Sequence, residues 1–257
     1  APNNATLVVV GDVDPEVVFA LAEEHFGDLE PGPALMPHPR SEPPQQGEKR
    51  LTVAAPAKEP YLLMGWKTPA LADAESSWEP YALEMLVAVL DAGASSRFSR
   101  ELVRDQRIAA SAGASYNAFN RLPGMLLIDG TPAKGQSVET LERALLAQVE
   151  RLKSEMVDEE ELTRIRRQLI AGKVYDRDSV IYQAMLLGQF ETVGLGWQLS
   201  ADYVDHLAAV TPEQVKAVAE KYLTADNRTV ARLDPQPIGA GNPRAAGLSR
   251  QGGAHVH

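Results

Sequence analysis

The histidines are the first place to look for chemistry in this chain: His25, His38, His206, His255 and His257. A catalytic zinc ion takes about three protein ligands converging on one point, commonly two histidines on one helical face plus a carboxylate. No HxxxH, HExxH or inverted HxxEH spacing occurs. His25 closes a predicted helix and His38 lies in a proline-rich stretch, both positions that favour an exposed ring. His206 lies on an apolar-patterned helix, where a partly buried, satisfied imidazole is expected. His255 and His257 are close in sequence but sit in a Gly-rich terminus with nothing rigid to hold an open tetrahedral site. No residue of this chain is therefore expected to be catalytic or to bind a catalytic metal.

Other nucleophile and phosphate chemistry is equally thin. There is no cysteine, which closes the Cys/His class and leaves neither disulfides nor thiolate metal sites. No GxSxG elbow is present, and GASSR lacks both the spacing and the lysine of a phosphate loop. The run DEEELTRIRR reads as the solvated face of a helix, with Glu160 and Arg164 at i,i+4 spacing. The formal charge of −10 and pI near 5.0 repel phosphates, so neither nucleic acid nor an anionic membrane surface is an expected partner. No apolar run approaches the roughly 20 residues that span a bilayer, and the first residues carry no positive n-region.

The elements that must position any site centre on residues 75–131. The first helix there has Leu83, Leu86, Val87 and Leu90 as its main stripe, flanked by Tyr81, Met85 and Val89, so it is covered on more than one side. Gly93 suits a left-handed residue past its end, and Ser95 or Ser96 is placed to cap a second helix starting near Arg97. Residues 108–117 and 125–131 then read as strands. The first is thin, built on Ala109, Ala110, Ala112 and Ala114, which lets something pack closely on it.

Upstream, residues 6–10 form a β-branched run, and Asp14-Pro15 opens a helix reaching about Phe26. Six prolines in residues 30–47 mark a linker,. Residues 49–55 and 61–67 read as paired strands. Downstream, residues 138–152 are helical, and Asp158 with Glu161 caps a long helix carrying Leu162, Ile165 and Leu169. Helices follow over 181–192, 199–209 and 212–223, the last capped by Thr211, and residues 229–233 make a closing strand. The tail 236–257 is too rich in Gly and Pro to offset the entropy of ordering and is expected to be flexible. Strands in pairs followed by a run of helices predict an α+β fold: a two-layer, mixed, largely antiparallel sheet covered on one face by helices.

APNNATLVVV aligns with TADNRTVARL, Asn4 facing Asn227 and Thr6 facing Thr229. Residues 1–10 then read as the closing strand of an earlier copy of the same domain, and the chain as the second half of a two-copy protein. GASSRFSRELVRDQRIAASAGASY resembles the signature segment in the second half of pitrilysin-type zinc peptidases, the family of insulin-degrading enzymes and mitochondrial processing peptidases. The resemblance extends over residues 1–235. It assigns 1–29 to the closing strand and helix of the preceding half, 30–47 to the linker, 48–235 to the complete second half and 236–257 to the tail.

That resemblance implies a clam shell of two homologous halves, the first holding zinc through HxxEH and a downstream glutamate, the second closing the chamber and holding an extended peptide. Zinc is accordingly expected in the N-terminal half and no cofactor in this chain. The implied partner is an HxxEH-containing half, in cis or in trans, with self-association through the surface facing it. The compartment expected with such a bacterial peptidase is the periplasm or cell envelope. The other readings are a non-catalytic subunit or scaffold of a two-chain, processing-peptidase-like complex and a stand-alone peptide-binding module. The chain departs from the family at LRExxGLAY: laid on LVRDQRIAA, the substrate-contacting Arg and Tyr positions are Val103 and Ala110. Arg104, next to the first, and Tyr116, an even six residues beyond the second, are the candidate substrate-binding residues, as displaced donors to a substrate carbonyl.

Overall fold

A computed structural model describes residues 2–33, 42–176 and 178–238 of the chain. His38, His255, His257 and nearly all of the predicted flexible tail lie outside the described residues. Five strands, β1 (Lys49–Pro56), β2 (Tyr61–Thr68), β3 (Ala109–Ser115), β4 (Gly124–Pro132) and β5 (Arg228–Gln236), form one sheet in the order β1-β5-β2-β4-β3. Only β1 and β5 run parallel; every other pair is antiparallel. The α-helices are α1 (Pro15–Phe26), α2 (Glu79–Asp91), α3 (Val138–Ser154), α4 (Glu159–Asp176), α5 (Val180–Val193), α6 (Leu199–Ala208) and α7 (Pro212–Tyr222). The mixed, mostly antiparallel sheet and its helical cover are the architecture expected from the pattern of elements.

Strand alternation separates two faces. Leu62, Met64 and Trp66 of β2, Leu126 and Ile128 of β4 and Val230 of β5 are buried, on the side where α2, α3 and α7 pack against the strands. Fully burying side chains of this size stabilises by roughly 1.5–3 kcal/mol each. Trp66 keeps its polar end satisfied by donating Nε1–H to the Thr224 carbonyl at 3.1 Å. On the opposite face, Leu51 and Val53 of β1, Tyr61 of β2 and Met125 of β4 stay between 38% and 47% exposed.

Helix α2 runs through the centre and buries residues on nearly every side, touching α4, α6, α7 and β3. Gly93 takes the left-handed conformation past its end (φ +78°). The corner that follows is built differently from the expectation: Ser96 Oγ donates back to the Gly93 carbonyl at 2.8 Å, and neither serine caps the next helix. That helix, Phe98–Asp105, is a π-helix, a wide form that recurs at functional sites. It ends with Gln106 N–H bonded to the Glu101 carbonyl five residues back, Arg107 at φ +52° and Ile108 N–H on the Leu102 carbonyl.

Three further expectations change. Residues 6–10 belong to no strand, because among the described residues no strand pairs its backbone with them. Asp158 caps α4 as expected, accepting from Glu160 N–H at 2.8 Å, but Glu161 turns away to pair with Arg97 at 2.7 Å. Arg164 reaches Ser95 rather than Glu160, so this acidic-basic run fastens α4 to the corner as well as facing solvent.

Candidate functional site

Arg104 and Tyr116 lie at opposite ends of β3. Arg104 is exposed near the close of the π-helix that feeds the strand, and Tyr116 follows the strand's last residue. Among the described residues no ion pair engages Arg104. Tyr116 is half-buried against the core, and its hydroxyl donates to the Pro69 carbonyl at 2.7 Å. Burial, reinforced by the negative charge of Glu84 and Asp73, pushes the Tyr116 phenol far above its ordinary range. The even spacing from Ala110 does not survive, because a bulge between Ala109 and Ser111 interrupts the alternation,. Ala110 is exposed, whereas Ala112, Ala114 and Tyr116 turn to the core. Val103, at the other substituted position, is half-buried on the π-helix.

His25 is exposed at the end of α1. His206 is also exposed, contrary to the expectation of partial burial, because Tyr203 and Leu207 are the inward residues of α6. Its ring is stacked on Tyr81 at 4.9 Å between centroids. Among the described residues no three His, Asp or Glu side chains are grouped so as to hold a metal ion.

The structure brings together a cluster that belongs to no sequence motif. Glu84, on the single polar step in the middle of α2, has a side chain only 17% exposed. Lys173 of α4 places its ammonium 3.3 Å from Glu84 Oε1, and the Tyr203 hydroxyl of α6 donates to Oε2. Burial pushes the Glu84 carboxyl above the usual carboxylate range, and Lys173 opposes that rise. Burial likewise pushes the Tyr81 phenol up to about 12. The Lys173 ammonium lies 5.9 Å from the Phe119 ring centroid and 5.4 Å from that of Tyr203, within cation–π range. Chemically this is a neutralised ion pair walled by aromatic rings, suited to binding rather than to proton transfer. The available signal was Glu84 itself, a lone acid among apolar residues on a helix patterned for burial.

One mixed, mostly antiparallel five-stranded sheet in the order β1-β5-β2-β4-β3, with helices packed over one face, defines an α+β domain. The family model described as the Peptidase M16 inactive domain matches residues 1–169, and the chain belongs to that family. It is 27% identical over 237 residues to the zinc protease PqqE of Helicobacter pylori, covering 91% of this chain and 52% of that protein. In structure it is similar to a protease from Helicobacter pylori, with a TM-score of 0.79 at 25% identity, covering 88% of this chain and 54% of that one. A peptidase M16 inactive domain from Pseudomonas fluorescens shares the fold, with a TM-score of 0.73 at 20% identity over 91% of this chain and 54% of that chain. The chain thus spans about half the length of the curated relative PqqE.

Proposed function

We propose that this chain is the half of a zinc endopeptidase that closes the chamber and holds the peptide, while another half carrying HxxEH supplies the metal. The observation that carries the reading is the match to a family model whose description is an inactive domain. Hydrolysis at neutral pH needs a metal to lower the pKa of water to about 7 and a carboxylate to take its proton; in this reading both come from the partner half, in cis or in trans. The extended peptide lies between the halves, and the domain boundaries near residues 29, 47 and 235 separate this half from its neighbour. The assembly belongs, in the same reading, to the bacterial periplasm or cell envelope.

The test is reconstitution. The chain alone should show no chelator-sensitive cleavage of extended peptides, and mixing or fusing it with an HxxEH-containing half should produce cleavage. Chelator-sensitive hydrolysis by the chain alone, with residues 255–257 deleted, would sink the reading.

A further inference from the structure

Beside the Glu84–Lys173 pair the surface opens into a cleft of about 40 Å³. Phe119, Lys173, Tyr182, Leu186, Phe190 and Tyr203 line it. On a scale where one water needs roughly 10–15 Å³ and a closed cavity of about 150 Å³ takes a whole benzene ring, the cleft can enclose part of a ring seated at its open mouth, and not a cofactor. The walls come from α4, α5, α6 and the segment after β3, so the cleft is built by tertiary packing and not by one mobile loop. Phe119 meets Phe190 edge-on with centroids 4.9 Å apart and Tyr203 at 5.1 Å, so the rings are already locked against one another.

The charge pattern selects the occupant. The Lys173 ammonium is neutralised by Glu84, and both are largely withdrawn from water. A basic or acidic side chain entering here would compete for one member of that pair and strand the other, which is costly in a desolvated site. A neutral ring leaves the pair intact, offers its edge or face to Phe119 and Phe190, and presents a further π-face to an ammonium already held over two. An aliphatic group gains only the contact area.

We propose that this cleft is a side-chain subsite that receives one aromatic residue of an extended peptide. The peptide as the source of the ring rests on the peptide-holding reading above; the cleft's preference for a neutral ring does not.

The experiment is calorimetric titration of the full 257-residue chain with capped peptides that differ at one position (Phe, Ala, Lys or Glu), and with N-acetyl-phenylalaninamide. The Phe peptide should bind roughly tenfold tighter than the Ala peptide, with the Lys and Glu peptides no tighter than Ala. Leu186→Trp, which fills the cleft from a half-buried position, should abolish the preference with little change in Tm. Phe119→Leu, which keeps the wall apolar, should reduce it severalfold and serves where the first variant does not fold. Peptides that bind without regard to the ring, or a preference that survives Leu186→Trp, overturn the cleft and leave the peptide-holding reading standing. Binding of N-acetyl-phenylalaninamide that Leu186→Trp removes, with no peptide bound, supports the cleft and overturns the peptide-holding reading. No binding of any probe overturns both.

Discussion

The ammonium of Lys173 on α4 lies 3.3 Å from the carboxylate of Glu84 on α2, and this pair couples the central helix to the helical layer outside it. Removing one member leaves the other charged and poorly solvated. Lys173→Met should therefore destabilise the chain by about 3 kcal/mol at neutral pH, more than the loss of an exposed ion pair. The pH dependence has a definite sign. Burial raises the folded Glu84 value above its unfolded one of about 4.3, so the folded state holds the proton more firmly. That contribution is fullest below the unfolded value and is lost as pH rises through the folded value. With Lys173 gone the folded value rises further, and the gap between variant and parent should widen from pH 4 to pH 7.5 in urea unfolding. A constant gap would show that Glu84 does not titrate with folding.

Tyr116 fixes residue 69 to the end of β3 through its hydrogen bond to the Pro69 carbonyl. Tyr116→Phe should cost about 1 kcal/mol, a fall in Tm of about 2–4 °C for a domain of this size. In a reconstituted enzyme the same variant separates two roles. If the hydroxyl leaves Pro69 to serve a substrate carbonyl, turnover should fall roughly tenfold or more; if it stays, the Tm falls and turnover hardly moves.

Glu142 of α3 gathers Arg50 of β1 and Arg232 of β5 across the edge of the sheet, at 2.6 and 2.5 Å. Burial alone would push its carboxyl up, but the two guanidinium groups outweigh burial and hold it below the usual carboxylate range. A depressed value contributes stability that is present above the unfolded value of about 4.3 and lost as pH falls through the folded one. Glu142→Gln should thus cost about 1–3 kcal/mol at pH 7, with the difference from the parent shrinking toward pH 3. A difference that is flat with pH would remove Glu142 from the acid response.

Most of the architecture was legible because its causes are local. The β-branched and apolar runs of β2 and β4, the Asp14-Pro15 and Thr211-Pro212 caps and Gly93 act within a few residues, and each lies where the periodicity placed it. The bulge at Ala110 was not legible, since register is set by the partner strand β4 and not by the alanines themselves. The same limit hid Lys173 and Tyr203. Nothing in their own neighbourhoods indicates that α4 and α6 converge on Glu84, and only the α2 pattern hinted that an acid there needs a partner. Exposure of His206 likewise depends on which side of α6 meets α2, a matter of one residue's rotation about the helix axis.

The last prediction concerns the sheet face away from α2, α3 and α7. Leu51 and Val53 of the edge strand β1 are 46% and 47% exposed, and their register with Ala231 and Leu233 of β5 puts all four on that face. An edge strand with unpaired backbone groups and exposed apolar side chains templates association with another chain. On this face β1 carries one charge, Lys49 at the strand's start; Arg50 turns toward Glu142 on the helical side, so Leu51 and Val53 themselves are left unguarded. The chain alone should therefore self-associate as concentration rises, seen as a growing weight-average mass in sedimentation velocity. Lys substitutions at both Leu51 and Val53 should return it to a monomer, while costing less than about 0.5 kcal/mol each because the positions are half in water. Addition of the HxxEH half should compete with self-association if the two use the same surface. Strictly monomeric behaviour of the parent at high concentration, or association that the double variant leaves intact, would rule this face out as the contact.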